Sequence, residues 1–512
     1  MVRAMDAWVF LSGPMGAGKT TLGRALSRRL GARFVDLDAK IEGQQGVAIA
    51  QIFDRYGEAG FRAIERETLA RLLTGEPAVV SLGGGTVTHE PTRRRLLEAG
   101  TLVTLTAPLD QLLERVGEGE GRPLAAKLER LLAERADAYA ECHAEVRTDV
   151  DEDAALDALA EVIARDAVVV PLGRRSYRVS FEALERLPAI VQGLDPSRVI
   201  VVTDDNVHDP WARAAAKALD AAATVVLPAG EEHKTVGTVE RVWDAALEAG
   251  IDRRAVVVTV GGGVVGDLGG FAAATLMRGV RFVQVPTTTL AMVDASVGGK
   301  TGFDRAQGKN LVGAFHQPAH VLIDVKTLST LPDEELRAGL AEVVKAAWLD
   351  SEEAVAALEA DAERLLARDP RALSRVIRRS VELKARVVAE DEREGGRRRV
   401  LNLGHTVGHA IEAANGYVGI RHGEAVSLGM IAAFRMAARL GDDRAAAHEA
   451  RARALLERLG LPTDLEAWWT PQTARFVGAD KKRDGDDVRF IVPGAPGEVE
   501  VRTVPIDHEF GP

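Results

Sequence analysis

The chain has 512 residues, an apolar fraction of 46%, a charged fraction of 28% and a formal net charge of -11. This length predicts roughly two to four domains, and the negative charge argues against a nucleic-acid partner, so an anionic substrate must be held by local clusters of cations. The single cysteine, Cys142, excludes an internal disulfide and a zinc site built from cysteines.

Residues 8–20 read as a strand, a glycine loop and the start of a helix. The loop fits the phosphate-binding pattern GxxxxGK[ST] in the structural context that this pattern requires. Loop amides and the helix N-terminus bind phosphates, the lysine reaches the β and γ oxygens, and the threonine hydroxyl ligates Mg²⁺. The sequence therefore predicts an ATP–Mg²⁺ site formed by Gly16, Gly18, Lys19, Thr20 and Thr21.

Further motifs of residues 8–165 resemble those of shikimate kinase. They are Asp36-Leu-Asp38, Phe61-Arg62-x-Ile-Glu65, Ser81-Leu-Gly83-Gly84-Gly85, Arg122-Pro-Leu and Arg135. The resemblance implies that Asp36 helps to hold Mg²⁺ through water and that Arg122 lies in a mobile lid over the transferred phosphoryl group. It implies a shikimate site made of Asp38, Arg62, Gly84 and Arg135.

These residue types suit a carboxylate substrate with vicinal hydroxyls. Arginine forks bind carboxylates, and Asp38 can accept the proton of the attacking hydroxyl. Gluconate and a nucleoside monophosphate are the alternative acceptors, and the triple-glycine turn with the Asp-Leu-Asp motif disfavours both. The stretch from Arg122 to Arg135 is shorter than in shikimate kinases, which bears on the lid.

Strand and helix patterns alternate over the first 320 residues, which predicts an α/β fold with parallel sheets. Helical spacing over 151–166, followed by a strand pattern at 168–170, indicates a domain boundary near Asp166. From Thr330 onward the pattern is mostly helical, with Thr330 as a candidate cap and acidic residues in the first turn. We expect three parts: residues 1–165, 166–329 and 330–512.

Two segments of the third part carry candidate metal ligands. Glu342 and Lys345 are spaced i,i+3 on one predicted helix, and His405 and His409 are spaced i,i+4 on another. His422 begins the next helix. One carboxylate with two imidazoles suits a catalytic zinc ion, and spacing alone does not choose between His409 and His422 as the third ligand.

Residues 167–510 resemble 3-dehydroquinate synthase. The resemblance rests on Gly261-Gly262-Gly263-Val264-Val265-Gly266-Asp267, Arg278-Gly-Val-Arg281-Phe, Val285-Pro286-Thr287-Thr288, Met292-Val-Asp294-Ala-Ser-Val-Gly298-Gly299-Lys300-Thr, Gly308-Lys309-Asn310, Ala341-Glu342-Val-Val-Lys345 and both histidine motifs. It implies zinc or cobalt on Glu342, His405 and His422, with His409 left for substrate binding or proton transfer.

The same resemblance implies a tightly held, recycled NAD. Its implied NAD-binding residues are Asp204, Asn206, Glu231, Lys234, Gly262, Gly263, Val264, Asp267, Thr287 and Thr288. The implied substrate is 3-deoxy-D-arabino-heptulosonate 7-phosphate. Its implied binding and catalytic residues are Asp294, Lys300, Lys309, Asn310, Lys345, Lys384, Arg398 and His409, together with Lys481 or Lys482. Arg278 would reach the phosphate bound to a neighbouring subunit, which implies a homodimer.

The implied chemistry explains these residue types. Zinc polarises a substrate hydroxyl, NAD takes and later returns a hydride, and cations hold the leaving phosphate and the carboxylate. We expect a bifunctional enzyme of the shikimate pathway whose two steps are not consecutive. The alternatives are an active synthase fused to a weak nucleotide-binding module, or another sugar-phosphate cyclase or glycerol-type dehydrogenase.

No apolar run reaches the ~20 residues that span a bilayer, and the N-terminus leads almost directly into a strand pattern. We therefore expect no membrane association, no signal peptide and a cytoplasmic location.

Overall fold

The computed structural model describes residues 7–116, 128–479, 483–484, 487–505 and 510–511. The chain divides into two compact units, residues 1–178 and residues 179–512. Among the described helices, none is both long and apolar enough to cross a membrane.

The first unit contains six strands and seven helices among its described residues. The strands are β1 Trp8–Ser12, β2 Phe34–Asp36, β3 Val79–Ser81, β4 Gly100–Thr106, β5 Ala144–Arg147 and β6 Ala167–Val170. The helices are α1 Lys19–Leu30, α2 Leu37–Gln45, α3 Ile49–Leu72, α4 Glu90–Ala99, α5 Leu109–Val116, α6 Leu128–Ala140 and α7 Glu152–Ala164. Helix α7 begins after Asp151, whose carboxylate caps it.

A five-stranded parallel sheet with the order β2-β3-β1-β4-β5 forms the centre of this unit. Successive residues of β1 enter different cores, Val9 and Leu11 on one face and Phe10 on the other. Both faces are therefore buried, as is usual for parallel sheets covered by helices. The loops after β1, β2 and β3 lie at one edge of the sheet, where ligands bind in such folds.

The α/β half of the second unit follows. Its strands are β7 Tyr177–Phe181, β8 Val199–Asp204, β9 Ala223–Leu227, β10 Val256–Gly261, β11 Arg281–Pro286, β12 Lys300–Arg305, β13 Gly308–Phe315 and β14 His320–Ile323. Its helices are α8 Leu187–Gln192, α9 Arg213–Ala218, α10 Val236–Glu248 and α11 Gly263–Thr275. Strands in the order β14-β11-β10-β8-β9 pair in parallel, and β12 and β13 form an antiparallel hairpin.

The last part of the chain is mostly helical. Its helices are α12 Asp333–Asp350, α13 Glu352–Leu366, α14 Pro370–Glu390, α15 His405–Ala414, α16 His422–Arg439, α17 Ala445–Arg458 and α18 Pro471–Ala479. Its strands are β15 Arg483–Asp484, β16 Asp487–Pro493 and β17 Val499–Pro505, which pair in antiparallel fashion. The predicted class, parallel α/β followed by a mostly helical part, is confirmed.

Two details differ from the sequence analysis. Thr330 does not cap α12: its hydroxyl donates to the Thr327 carbonyl at 3.2 Å, and Pro332 occupies the cap position. The helix instead begins with three acidic residues, which suit the positive end of its dipole. The short antiparallel sheet β15–β17 follows the helices and was not predicted.

Candidate active sites

The phosphate loop of the first unit lies between β1 and α1. Gly18 precedes α1 with φ at +84°, a conformation that favours glycine. The Lys19 ammonium donates to the carbonyls of Gly13 and Pro14 at 2.9 and 2.8 Å, so the loop holds its own lysine. Burial lowers the pKa of Lys19 to about 8 against the opposing charges of Asp38 and Asp36. Incoming phosphate can replace the two carbonyls as the partner of this cation.

Thr20 forms the candidate magnesium position with residues at the ends of β2 and β3. Its hydroxyl donates to Asp36 Oδ2 at 2.6 Å and lies 3.3 Å from Ser81 Oγ. Thr20 and Thr21 are both exposed at the start of α1. A hydroxyl and a carboxylate oxygen at this separation are suitable oxygen ligands for Mg²⁺, directly or through water. Ser81 is a member of this group that the sequence analysis had not assigned a role.

The predicted acceptor residues converge on the triple-glycine turn after β3. Arg135 Nη1 donates to the Gly84 carbonyl at 2.8 Å, and the Tyr139 hydroxyl donates to the same carbonyl at 2.5 Å. A Cβ on Gly85 would lie 2.2 Å from Arg62 Nη2, so the guanidinium packs directly on the turn. Two arginines thus reach one turn from α3 and α6.

Asp38 lies beside the same turn, in a position that perturbs its carboxyl group. A Cβ on Gly83 would be 3.1 Å from Asp38 Oδ1 and 2.7 Å from Glu65 Oε1. Burial, reinforced by the charges of Glu65 and Asp36, raises the pKa of Asp38 to about 6. A carboxyl group that titrates near neutral pH is suited to accept a proton.

Sequence reasoning missed two supports of this pocket, and the predicted lid residue cannot be placed. Glu65 is 1% exposed, accepts from Arg62 at 2.8 Å and from the Thr86 hydroxyl at 2.5 Å. Its i,i+3 spacing from Arg62 was the available signal. Tyr139 gave no comparable signal. Arg122 lies outside the described residues.

In the second unit, the predicted cofactor residues gather at the carboxyl ends of β8, β10 and β11. Asp204 Oδ1 accepts from the backbone amides of Asn206 and Val207, both at 3.0 Å. Gly262 precedes α11, and a Cβ there would lie 3.2 Å from Thr288 Cγ2. The N-terminus of α11 therefore lies at the carboxyl end of β10, an arrangement found in dinucleotide-binding sites.

A buried lysine connects this region to a predicted substrate residue. Lys234 Nζ lies 2.7 Å from Asp267 Oδ2, 2.7 Å from Asn310 Oδ1 and 4.0 Å from Glu231 Oε1. Just after β11, Thr287 Oγ1 is buried and has no hydrogen-bond partner among the described residues. An unsatisfied hydroxyl after β11 fits a pocket whose ligand is polar. Gly263 and Val264 form the first turn of α11.

Three helices bring the predicted metal ligands together. The Nε2 atoms of His405 and His422 lie 3.6 and 3.8 Å from Glu342 Oε1. That oxygen is buried and has no hydrogen-bond partner among the described residues. Zinc bonds of 2.0–2.2 Å in a tetrahedron separate ligand atoms by about 3.4 Å, so both distances from the Glu342 oxygen are compatible with a shared ion.

The other ring nitrogens have separate partners. His405 Nδ1 lies 3.2 Å from the Leu403 carbonyl, and His422 Nδ1 lies 3.2 Å from Glu412 Oε2. Both partners accept hydrogen bonds, so in its neutral form each ring carries its proton on Nδ1 and keeps the lone pair on Nε2. His409 is exposed, and one ligand atom from each of the three histidines lies within 4.8 Å of the others.

Two glycines allow these helices to approach closely. A Cβ on Gly423 would lie 1.8 Å from the Ala338 carbonyl oxygen of α12. A Cβ on Gly429 would lie 1.8 Å from the carbonyl oxygen of Gly404, the residue before α15. Helix α16 therefore packs against the backbones of the elements that carry the other two donors.

The predicted cations surround this centre, each in contact with an acceptor. Lys345 makes an ion pair with Glu342, and Lys300 with Glu394. Lys384 Nζ lies 2.5 Å from Asp294 Oδ1, and burial lowers the pKa of Lys384 to about 8. Although burial opposes it, the charges of Lys384 and its neighbours hold the pKa of Asp294 well below its usual range.

Arg398 and Lys309 are the other two predicted substrate-binding cations that the structure describes. Arg398 is 2% exposed and donates through Nη1 and Nη2 to the Gly298 carbonyl, both at 3.2 Å. Lys309 Nζ lies 3.5 Å from Glu231 Oε1 and 3.9 Å from Glu412 Oε1. Sequence reasoning had missed Glu412.

The remaining predicted site residues are Arg278, Lys481 and Lys482. Arg278 is exposed in a turn where its φ is +67°, and Met277 before it also has a left-handed φ of +53°. Lys481 and Lys482 lie outside the described residues.

Comparison with known proteins finds family matches for both units of the chain. Residues 15–167 match the family model described as shikimate kinase. Residues 224–338 and 339–483 match those described as 3-dehydroquinate synthase N-terminal and 3-dehydroquinate synthase C-terminal. A 3-dehydroquinate synthase of Symbiobacterium thermophilum is 46% identical over 339 residues, which are 64% of this chain and 94% of that protein.

Two solved structures resemble the second unit. A 2-deoxy-scyllo-inosose synthase, complexed with carbaglucose-6-phosphate, NAD+ and Co²⁺, is 29% identical with a TM-score of 0.60, covering 66% of this chain and 96% of its own. A 2-epi-5-epi-valiolone synthase from Streptomyces hygroscopicus subsp. jinggangensis 5008, with NAD+ and Zn²⁺ bound, is 31% identical with a TM-score of 0.58, covering 64% and 92%.

Proposed function

Because the chain belongs to the 3-dehydroquinate synthase family and carries a shikimate kinase domain before it, we propose that it performs both reactions. The first is ATP-dependent phosphorylation of shikimate to shikimate 3-phosphate. The second is cyclisation of 3-deoxy-D-arabino-heptulosonate 7-phosphate to 3-dehydroquinate with release of phosphate. The observation that carries the second activity is the convergence of Glu342, His405 and His422 among buried lysines.

The metal would be held by Glu342, His405 and His422, with zinc and cobalt as the candidate ions. The orphaned Glu342 oxygen and the two Nε2 atoms supply the donor set that catalytic zinc prefers, with room for a substrate oxygen. A bound ion would supply Lewis-acid polarisation of a substrate hydroxyl. His409, exposed beside this centre, is positioned to contact substrate or move a proton.

NAD would lie along the edge formed by β8, β10 and β11. The proposed contacts are Asp204, Asn206, Glu231, Lys234, Gly262, Gly263, Val264, Asp267, Thr287 and Thr288. The support is the α11 N-terminus after β10 and the buried unsatisfied hydroxyl of Thr287. Since Lys234 contacts both Asp267 and Asn310, this pocket is continuous with the predicted substrate residues.

The substrate of the synthase carries a carboxylate and a phosphate, and the surrounding cations match both groups. We assign binding or catalytic roles to Asp294, Lys300, Lys309, Asn310, Lys345, Lys384, Arg398 and His409. Arg398 in particular is buried, and although its Nη1 and Nη2 donate to the Gly298 carbonyl here, a guanidinium suits a carboxylate better than the neutral substrate of a glycerol-type dehydrogenase. Arg278 is exposed, consistent with the proposal that it reaches a second subunit in a homodimer.

In the kinase, Lys19 and Thr20 would bind the phosphates and Mg²⁺ of ATP, with Asp36 in support. Shikimate would occupy the pocket of Asp38, Arg62, Gly84 and Arg135, where Asp38 accepts the proton of the attacking hydroxyl. The raised pKa of Asp38 supports this role. Arg122 is proposed to act from the lid.

Two assays on the full-length chain test the proposal. ADP release with shikimate reports the kinase, and phosphate release from the heptulosonate phosphate with NAD and Zn²⁺ reports the synthase. Lys19→Met should abolish only the first activity and Glu342→Ala only the second, so each variant controls for the folding of the other unit. If ADP release does not exceed background while the synthase turns over, the first unit is a nucleotide-binding module.

A further inference from the structure

Glu412 is a nearly buried carboxylate at the synthase centre that the proposed function leaves without a role. It is 6% exposed and lies on α15, seven residues after His405 and three after His409. Those spacings place it on the same helix face as both histidines. Burying a carboxylate is costly unless it is paired and hydrogen-bonded, so its partners indicate its role.

The two oxygens of Glu412 face different groups. Oε2 lies 3.2 Å from His422 Nδ1, and Oε1 lies 3.9 Å from the Lys309 ammonium. Lys309 also lies 3.5 Å from Glu231 Oε1 and 4.5 Å from the centre of the Tyr417 ring. These contacts hold the Lys309 ammonium near Glu412, where it compensates the buried negative charge of the carboxylate.

The contact with His422 is on the side of the ring away from the candidate metal position. His422 Nε2 faces Glu342 Oε1 at 3.8 Å, whereas Nδ1 faces Glu412. A carboxylate can only accept from Nδ1–H, and in a neutral ring this leaves the lone pair on Nε2. Glu412 thus selects the tautomer that a metal ligand needs and fixes the ring plane at the same time.

We propose that Glu412 is a positioning residue that holds His422 ready to bind the metal ion, an inference that rests on the metal site of the proposed function. His405 has the equivalent support from a main-chain carbonyl, that of Leu403. The side chain of residue 412 is therefore the one support of the two that substitution can remove. Glutamine there has no charge, and its amide can either accept from Nδ1–H or donate to Nδ1, so it no longer selects the single tautomer that metal binding needs.

The test is Co²⁺ affinity of the full-length chain, measured by absorption titration in competition with a chelator. The variants are Glu412→Gln, Glu412→Asp and the control Glu449→Gln. Glu449 is a partly buried carboxylate of the same helical half, where it accepts from Arg435 at 3.3 Å and from Arg453 at 2.7 Å. The thermal transition of the second unit shows whether each variant is folded there, and kinase turnover shows that the first unit is unaffected.

We expect Glu412→Gln to weaken Co²⁺ binding about 10- to 100-fold, the usual effect of removing such a support. Glu412→Asp, which keeps the charge, should recover part of the loss, and Glu449→Gln should bind like the wild type. Binding by Glu412→Gln within about twofold of the wild type, or an equal loss in Glu449→Gln, would overturn the inference. If the wild-type chain itself bound no Co²⁺, the metal site of the proposed function would fail, a result distinct from the failure of Glu412 alone.

Discussion

Lys345 makes an ion pair with one carboxylate oxygen of Glu342, and the side chains are only 4% and 2% exposed. The other oxygen of Glu342 has no hydrogen-bond partner among the described residues and faces two imidazoles. The lysine therefore orients the carboxylate toward the candidate metal position. It also compensates a charge that would otherwise be expensive to bury.

Glu342→Ala is expected to remove bound zinc and synthase turnover while leaving kinase turnover unchanged. The variant leaves the Lys345 ammonium buried without its carboxylate, which should lower the free energy of unfolding by about 3–5 kcal/mol. Metal analysis after dialysis and denaturant unfolding measure the two effects.

The double variant Glu342→Ala with Lys345→Met separates the loss of metal from the loss of stability. It should recover the free energy of unfolding but not the bound metal. Full metal occupancy in Glu342→Ala would contradict the proposed ligand set.

Kinase activity should fall in acid as Asp38 takes up a proton. Because the pKa of Asp38 is raised to about 6, its basic form is lost below that pH. We expect kcat/KM for shikimate, at saturating ATP, to decrease about tenfold per unit below about pH 6. A profile that stays flat from pH 7 to pH 5 would remove Asp38 as the proton acceptor.

Asp38→Asn should abolish the kinase and stabilise the first unit at high pH. The folded-state pKa of about 6 lies above the ordinary aspartate value of 3.8, so ionisation destabilises the folded state increasingly as pH rises between these values. At pH 8 the variant should gain up to about 3 kcal/mol in free energy of unfolding, and at pH 4 little.

Calorimetry of the full-length chain measures this gain. The unfolding transition of the first unit is identified as the one that ATP shifts. Asp157→Asn is the control, since Asp157 is an exposed carboxylate paired with Arg29. A gain that is equal at pH 4 and pH 8 would show that burial of the Asp38 charge is not its cause.

Gly298→Ala should impair the synthase through Arg398. The φ of Gly298 is +101°, and a Cβ there would lie 2.2 Å from Arg398 Nη2, whose guanidinium is buried. Backbone strain alone costs about 1–2 kcal/mol for alanine in a left-handed conformation, so a stability loss is expected as well. We expect synthase kcat/KM to fall at least about tenfold, because the guanidinium loses its place.

Gly441→Ala is the matched control for that substitution. Its φ is +94°, and a Cβ there would meet nothing within 4 Å. It should lose similar stability without a change in kcat/KM. Equal losses of activity in the two variants would point to strain and not to Arg398.

Much of the grouping of residues at both candidate sites could be predicted because the motifs are contiguous and have a fixed geometry. The glycine loop before Lys19 and the i,i+4 pair of His405 and His409 are examples, since a strand–loop–helix unit and a helix face are local structures. The choice of His422 depends on where α16 begins relative to α12, and no spacing within one segment contains that information. Glu412 was missed for a related reason: its role appears only when the Nδ1 atom of a residue on another helix is located.

The cap of α12 shows how a local rule can fail. Thr330 has the right chemistry for a cap, yet its hydroxyl bonds to the Thr327 carbonyl of the preceding 3-10 turn. The main chain after it continues for two more residues before the helix begins at Asp333. Competing local hydrogen bonds of this kind are why threonine near a helix start is an ambiguous signal.

Gly423 and Gly429 limit which substitutions the second unit can accept during evolution. They take no part in chemistry, yet any side chain at either position would act as a wedge between main chains and spread the three donor atoms apart. The identity and the spacing of the proposed ligands are therefore set by different residues, and we expect that a variant which retains Glu342, His405 and His422 could still fail to bind the proposed ion.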